Sequence, residues 1–185
     1  VKPSDVDFIS FLTFELHLLQ KAQAFGFTPL ELSPVSPLGS CAAVATVNQN
    51  KILSALRSTE VVADATHLLA LEAVSRRKKI QFESTDIQLC TVHRHLRTPY
   101  MPPPFLPHFK IFCLLTAGKD KGNLLFEKRH LIEHIRFTTD YLKSFSGIES
   151  VKVVLKSTRK QNPDFLPLCD TIMTEMKDVT FEVEE

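Results

Sequence analysis

Two stretches decide how this chain is read: Ile87-Gln-Leu-Cys-Thr-Val-His-Arg-His-Leu-Arg97 and His108-Phe-Lys-Ile-Phe-Cys-Leu-Leu-Thr-Ala-Gly118. Both are rich in branched and aromatic side chains, which suit a pleated surface, and Gly118 closes the second. The intervening 98–107 holds five prolines, which cannot continue a hydrogen-bonded ladder, so it reads as a loop. The pair predicts strands over 87–92 and 108–116. Alternate residues of a strand share a face, so Arg94 points one way and His93 and His95 the other.

Upstream, Ser4 or Asp5 is the expected N-cap of an opening helix, and Gly26 its stop. Phe8, Ile9, Phe11, Leu12, Leu16 and Leu19 give that helix a wide apolar face. A strand over 27–32, interrupted by Pro29, leads into a Pro/Ser/Gly loop over 33–40, an apolar run over 41–47 and a polar turn at 48–50. Residues 51–57 read as a helical turn or a strand, and 60–62 as a short strand. Residues 64–75 read as a helix carrying the basic run Arg76-Arg-Lys-Lys79 at its C-terminus, where cations suit the dipole. A short strand is predicted over 80–82. Downstream come a turn at 120–123 and a helix over 127–145 with Leu131, Ile135 and Leu142 on one stripe. Gly147 closes that helix; a strand over 151–155, a helix over 164–177 and an alternating strand over 179–183 follow. This order predicts an α+β fold, a mixed and mostly antiparallel sheet flanked by helices, in a single domain over 1–185.

Composition narrows the function. The chain has 185 residues and a net charge of +1, which excludes a polyanion binder working by bulk charge. It has only 5 glycines, leaving little for a Gly-rich phosphate loop, and neither a Walker loop, a dinucleotide G-x-G-x-x-G nor an H-E-x-x-H helix occurs. The 4 cysteines are far apart with no C-x-x-C pair, so they read as buried thiols of a reducing compartment and not as a zinc site. No signal-type segment or membrane-length apolar run is seen, so a cytoplasmic protein is expected.

Four constellations could carry chemistry. Arg57-Ser-Thr-Glu60-Val-Val-Ala-Asp64-Ala-Thr66 places two carboxylates and a hydroxyl at a strand-to-helix junction, where a small ligand can meet free N–H groups. The plainer reading makes Asp64 a helix cap and Glu60 a solvated side chain. Val92-His-Arg-His-Leu-Arg97 offers Arg94 or Arg97 as a grip for phosphate or carboxylate. The plainer reading there is a solvated edge, and the His93/His95 pair has no third metal ligand nearby. In 108–120 the apolar stretch is most simply a buried strand, and Lys110 points either into a site or into water. Ser40-Cys41, after Gly39, is a nucleophile candidate without a base to pair with.

In order, these segments resemble the first half of a class II aminoacyl-tRNA synthetase core. The histidyl-tRNA synthetase type, with its regulatory paralogue in histidine biosynthesis, is most similar. Ala24-Phe-Gly-Phe27-Thr-Pro-Leu-Glu-Leu-Ser-Pro34 resembles the family's G-F strand before its proline. Asp64-Ala-Thr66 resembles the acidic-x-threonine segment before a helix, and Leu89-Cys-Thr-Val-His-Arg94 the strand bearing the motif-2 arginine. His108-Phe109 through Gly118 resembles the returning strand, and 127–145, Gly147 and 151–155 the helix and strand after it. The likeness covers 5–157.

Carried over, the resemblance implies ligand contacts at Asp64 and Thr66, near an amino-acid ammonium, and at Arg94, near an α-phosphate; Lys110 joins them as a candidate from the strand itself. It implies ATP with magnesium as cofactor if the site is active, and a homodimer or larger assembly formed through the opening helix. A third reading, separate from the resemblance, is a nucleic-acid (tRNA) contact with Arg76, Arg77 and Arg97 as candidates; the net charge of +1 does not support it, and the basic run is most simply a solvated helix cap. The sequence departs from the family at Val62, where an arginine is usual, and at Ile111 and Leu115, where a glutamine and a glutamate are usual. No motif-3 Gly-rich segment and no Gly-Gly-Arg-Tyr-type segment occurs in these residues. The expectation is therefore a diverged or truncated synthetase-like domain, serving as a ligand-binding or assembly module. An active adenylate-forming enzyme and an RNA-contacting module are the alternatives.

Overall fold

The computed structural model describes residues 5–45, 47–79, 86–96, 108–157 and 162–184. The predicted strand over 80–82, the proline loop over 98–107 and Arg97 lie outside the described residues. Contacts divide the chain into two compact units, Val1–Ala117 and Gly118–Glu185.

The first unit opens with helix α1, Phe8–Ala24, capped by Asp7, whose carboxylate accepts from the Ser10 N–H at 2.7 Å. The cap is thus Asp7, not Ser4 or Asp5. The helix ends at Phe25, and Gly26 (φ 105°) turns the chain out of it. A Cβ at Gly26 would stand 3.2 Å from Gln88 Oε1, so glycine serves both the turn and the close approach. The inward stripe is Phe11, Glu15, Leu18 and Ala22, spaced at helical intervals, and Leu18 and Ala22 are buried. Most of the predicted apolar face looks outward instead: Phe8, Ile9 and Leu16 are 62%, 68% and 57% exposed.

Strand β1, Thr28–Pro29, pairs in parallel with β4, Ile87–Leu96, which pairs antiparallel with β5, His108–Ala117. Strand β4 runs past the predicted end at residue 92, because β5 offers a partner to each of its residues up to Leu96↔His108. The predicted strand over 27–32 is cut to two residues, although the Leu30 N–H still donates to the Cys90 carbonyl at 2.8 Å. Strands β2, Val35–Pro37, and β3, Thr59–Val61, form a separate antiparallel pair. Between them lie the short helix α2, Ser40–Val44, and a 3-10 turn, Gln49–Lys51. Helix α3, Ala65–Lys79, follows β3.

The strand alternation sorts the β4–β5 ladder into two faces. Ile87, Leu89, Thr91, His93 and His95 share one face with their partners Ala117, Leu115, Cys113, Ile111 and Phe109. Helix α3 covers part of this face, burying Ala65, Leu69 and Ala73 against Ile87, Leu89 and Cys113. Helix α1 lies on the other face, where Glu15 reaches Lys110.

The second unit begins with α4, Leu125–Lys143, entered through Asn123 and Leu124 at positive φ (51° and 56°). Strand β6, Lys152–Lys156, helix α5, Phe165–Glu175, and strand β7, Thr180–Glu184, form a β–α–β unit with the two strands parallel. Its core joins Ile132, Ile172, Met176 and Val179 to Val153, Leu155 and Phe181. Each of these elements stands within about two residues of its sequence expectation. Among the described residues, no helix is long and apolar enough to cross a membrane.

Candidate functional site

The site is built on Glu60. Its side chain is wholly buried, yet four donors converge on it. The Gly39 N–H (2.9 Å) and Gln49 Nε2 (2.7 Å) donate to Oε2, and the Cys41 N–H (2.7 Å) and Ser40 Oγ (3.4 Å) to Oε1. Burial pushes this carboxyl upward, but the hydrogen bonds from Gln49, Gly39 and Cys41 outweigh it and hold the group at about 2. Glu60 is therefore a buried carboxylate that ties α2 and the 3-10 turn to β3. The expectation of a solvated side chain is corrected, since its partners lie 11 to 21 residues away.

The same hub places Cys41. Its thiol is 3.5 Å from His67 Nε2 on α3, a base that the sequence reading had not paired with it. Burial pushes the thiol up, so it stays protonated and inert as a nucleophile. Ser40 Oγ also lies 2.8 Å from Ser36 Oγ. The Ser40-Cys41 pair is structural.

Asp64 and Thr66 are exposed at the start of α3. Asp64 Oδ1 accepts from the Thr66 N–H (2.8 Å) and Thr66 Oγ1 (2.7 Å), which is a helix cap. Beside them, the α3-side face of β4 carries Thr91, His93 and His95, all buried. His95 Nδ1 donates to the Ala63 carbonyl at 3.3 Å, and its ring stacks on Phe109 and meets His93 edge-on at 5.1 Å between centroids. Burial, together with the rings of His95 and His67, holds His93 below the ordinary imidazole range, while Glu31 pulls the other way. His67 Nδ1, Thr91 Oγ1, His93 Nε2 and His95 Nε2 are buried and have no hydrogen-bond partner among the described residues. The sequence reading placed His93 and His95 opposite Arg94 but gave this row no role. Alternation was the available signal; His67 comes from another element and was invisible to it.

Arg94 and Lys110 are cross-strand partners on the α1 side. Arg94 Nη1 is 2.8 Å from His108 Nδ1. Lys110 Nζ donates to both Glu15 oxygens (2.5 and 2.7 Å) and lies 5.3 Å from the Phe11 ring centroid. The four expected ligand contacts thus fall into two pairs, with Asp64 and Thr66 on one side of the sheet and Arg94 and Lys110 on the other. They do not line one pocket. The register also separates two parts of the family likeness: Ile111 and Leu115 lie on the face of His93, not of Arg94.

These residues do not fit a nucleotide grip. Val62 is buried where the family likeness calls for arginine, Leu115 packs against the apolar core, and Arg94 turns away from the face of Ile111 and Leu115. Among the described residues, no three His, Cys, Asp or Glu side chains are arranged to hold a metal ion. Of the candidate nucleic-acid contacts, Arg76 pairs with Glu72 at 2.8 Å and Arg77 is half-buried.

No family model and no curated protein sequence matches the chain. Solved structures do. A Bacillus halodurans ATP phosphoribosyltransferase regulatory subunit/histidyl-tRNA synthetase is similar at TM-score 0.55 and 13% identity, over 74% of this chain and 35% of that one. Desulfitobacterium hafniense pyrrolysyl-tRNA synthetase is similar at TM-score 0.54 and 14% identity, over 72% and 47%. Histidyl-tRNA synthetase from Nostoc sp. PCC 7120 is similar at TM-score 0.53 and 20% identity, over 77% and 34%. The match therefore spans between 34% and 47% of these solved chains. At such identities the likeness speaks to fold: this chain has a class II aminoacyl-tRNA synthetase-like fold.

Proposed function

We propose that this chain is a class II synthetase-like module that binds a small polar ligand on the α3 side of the β4–β5 ladder and does not complete an adenylation site. The partnerless buried atoms Thr91 Oγ1, His93 Nε2 and His95 Nε2, with His67 Nδ1 beside them, carry this reading. A buried polar atom without a partner costs about 1–3 kcal/mol, so a ligand that hydrogen-bonds to the row recovers that cost. Asp64 and Thr66, at the start of α3, are the candidate contacts for the ligand's outer end. Arg94 and Lys110 serve the opposite face. Four unbridged, buried cysteines suit a reducing compartment such as the cytoplasm.

Thermal shift at pH 7.5 against the twenty amino acids and the common nucleotides tests this. At least one amino acid or related small polar compound should raise Tm, and Thr91→Val should remove the shift. No shift with any compound would overturn the reading.

A second reading, assembly, is favoured by the outward apolar stripe of α1: Phe8, Ile9, Leu12 and Leu16 are exposed on one helix. It proposes a homodimer whose partner covers this stripe. Contact with tRNA through Arg76, Arg77 and Arg97 has less support, because Arg76 is engaged with Glu72 and the chain carries a net charge of only +1.

A further inference from the structure

Three imidazoles meet in one buried region of the first unit. His67 comes from α3, and His93 and His95 from β4; they are 2%, 6% and 3% exposed. Such a cluster has a direct consequence for charge. A protonated ring carries a second N–H donor, and His67 Nδ1, His93 Nε2 and His95 Nε2 already face no hydrogen-bond partner. Adding a charge and a donor here leaves both uncompensated.

The surroundings offer little relief. From α2, the nearest titratable group is the Cys41 thiol, 3.5 Å from His67 Nε2 and held protonated by burial. From β3, Glu60 is ionised, but its oxygens are taken by Gly39, Ser40, Cys41 and Gln49. Asp64, before α3, is turned to Thr66. From β5 come the Phe109 ring, Ile111 and the Cys113 thiol, which burial raises to about 11. Among the described residues, the carboxylate of Glu31, after β1, favours a protonated His93, and burial with the other two rings outweighs it. Arg94 and Lys110 stand on the opposite face.

We propose that this cluster is an acid-sensitive latch centred on His93: protonation of that buried ring breaks the seating of α3 on the sheet and opens the face that carries Thr91. The latch bears on the proposed ligand site, but it follows from the packing and holds with or without a ligand. The sign is fixed by burial. A ring kept neutral in the folded state, and free to titrate near 6.5 when unfolded, supports the fold fully above that pH and loses support as pH falls through it. The loss levels off only where the folded ring itself takes the proton. With the His93 ring kept neutral, the folding constant falls about 30-fold between pH 7.5 and pH 5.

Urea unfolding of the full chain without ligand, followed by circular dichroism from pH 7.5 to pH 5, reads this loss. The His93→Gln variant keeps hydrogen-bonding capacity without a titrating ring. It should cut the pH dependence by about 30-fold, a difference that other histidines do not supply. Ring-nitrogen NMR of the unsubstituted protein, which does not depend on any variant folding, should show His93 neutral at pH 6. An unchanged midpoint from pH 7.5 to pH 5, a His93→Gln variant with the full pH slope, or a His93 ring protonated at pH 6 would each overturn the latch. So would a midpoint at pH 7.5 that drops on adding EDTA, since the nitrogens would then be metal ligands. The ligand screen at pH 7.5 fails or succeeds separately.

Discussion

Glu60 shows what one side chain can organise. A carboxylate with four donors and no solvent is stable because each oxygen is hydrogen-bonded, and the cost of desolvation is met locally. Glu60→Gln puts an amide N–H₂ against donors and should destabilise the first unit by about 3 kcal/mol in urea melts. Its native carboxyl is held at about 2, below its ordinary value, so its support is full above pH 4.5 and is lost as pH falls from there toward 2. An acid titration of the Gln variant should lack that component. None of this was legible in sequence, because the donors sit in a loop and a short helix distant along the chain. Asp64 was legible as a cap because its hydrogen bonds reach only two residues along.

At the scale of elements, periodicity located α1, α3, α4, α5 and the β4–β5 ladder. It did not say which side of α1 faces the sheet. A half-buried Glu15–Lys110 ion pair decides that, and a charged pair between residues 95 apart leaves no mark in a helical wheel. Lys110→Met leaves Glu15 without its cation and should cost about 1–3 kcal/mol by urea unfolding, with no loss of ligand binding on the α3 side. The outward stripe gives a further outcome. If a partner copy covers it, Leu12→Glu with Leu16→Glu should turn a dimer into a monomer by light scattering, with the fold kept by circular dichroism. Alternation correctly set His93 and His95 against Arg94; the register with β5 was needed to place Ile111 and Leu115 with the histidines.

For the whole molecule, the order of elements was enough to find the fold, since a class II-like likeness rests on topology and not on identity, here 13% to 20% in the solved structures. The site was less legible. Its residues come from α2, β3, α3 and β4, and the motif positions read along the strands fall on two faces of the sheet. The central proposal is that this class II-like fold does not complete an adenylation site. Amino-acid-dependent ATP–pyrophosphate exchange tests it most directly: the account predicts no exchange above background with any of the twenty amino acids, and exchange with even one of them would contradict it.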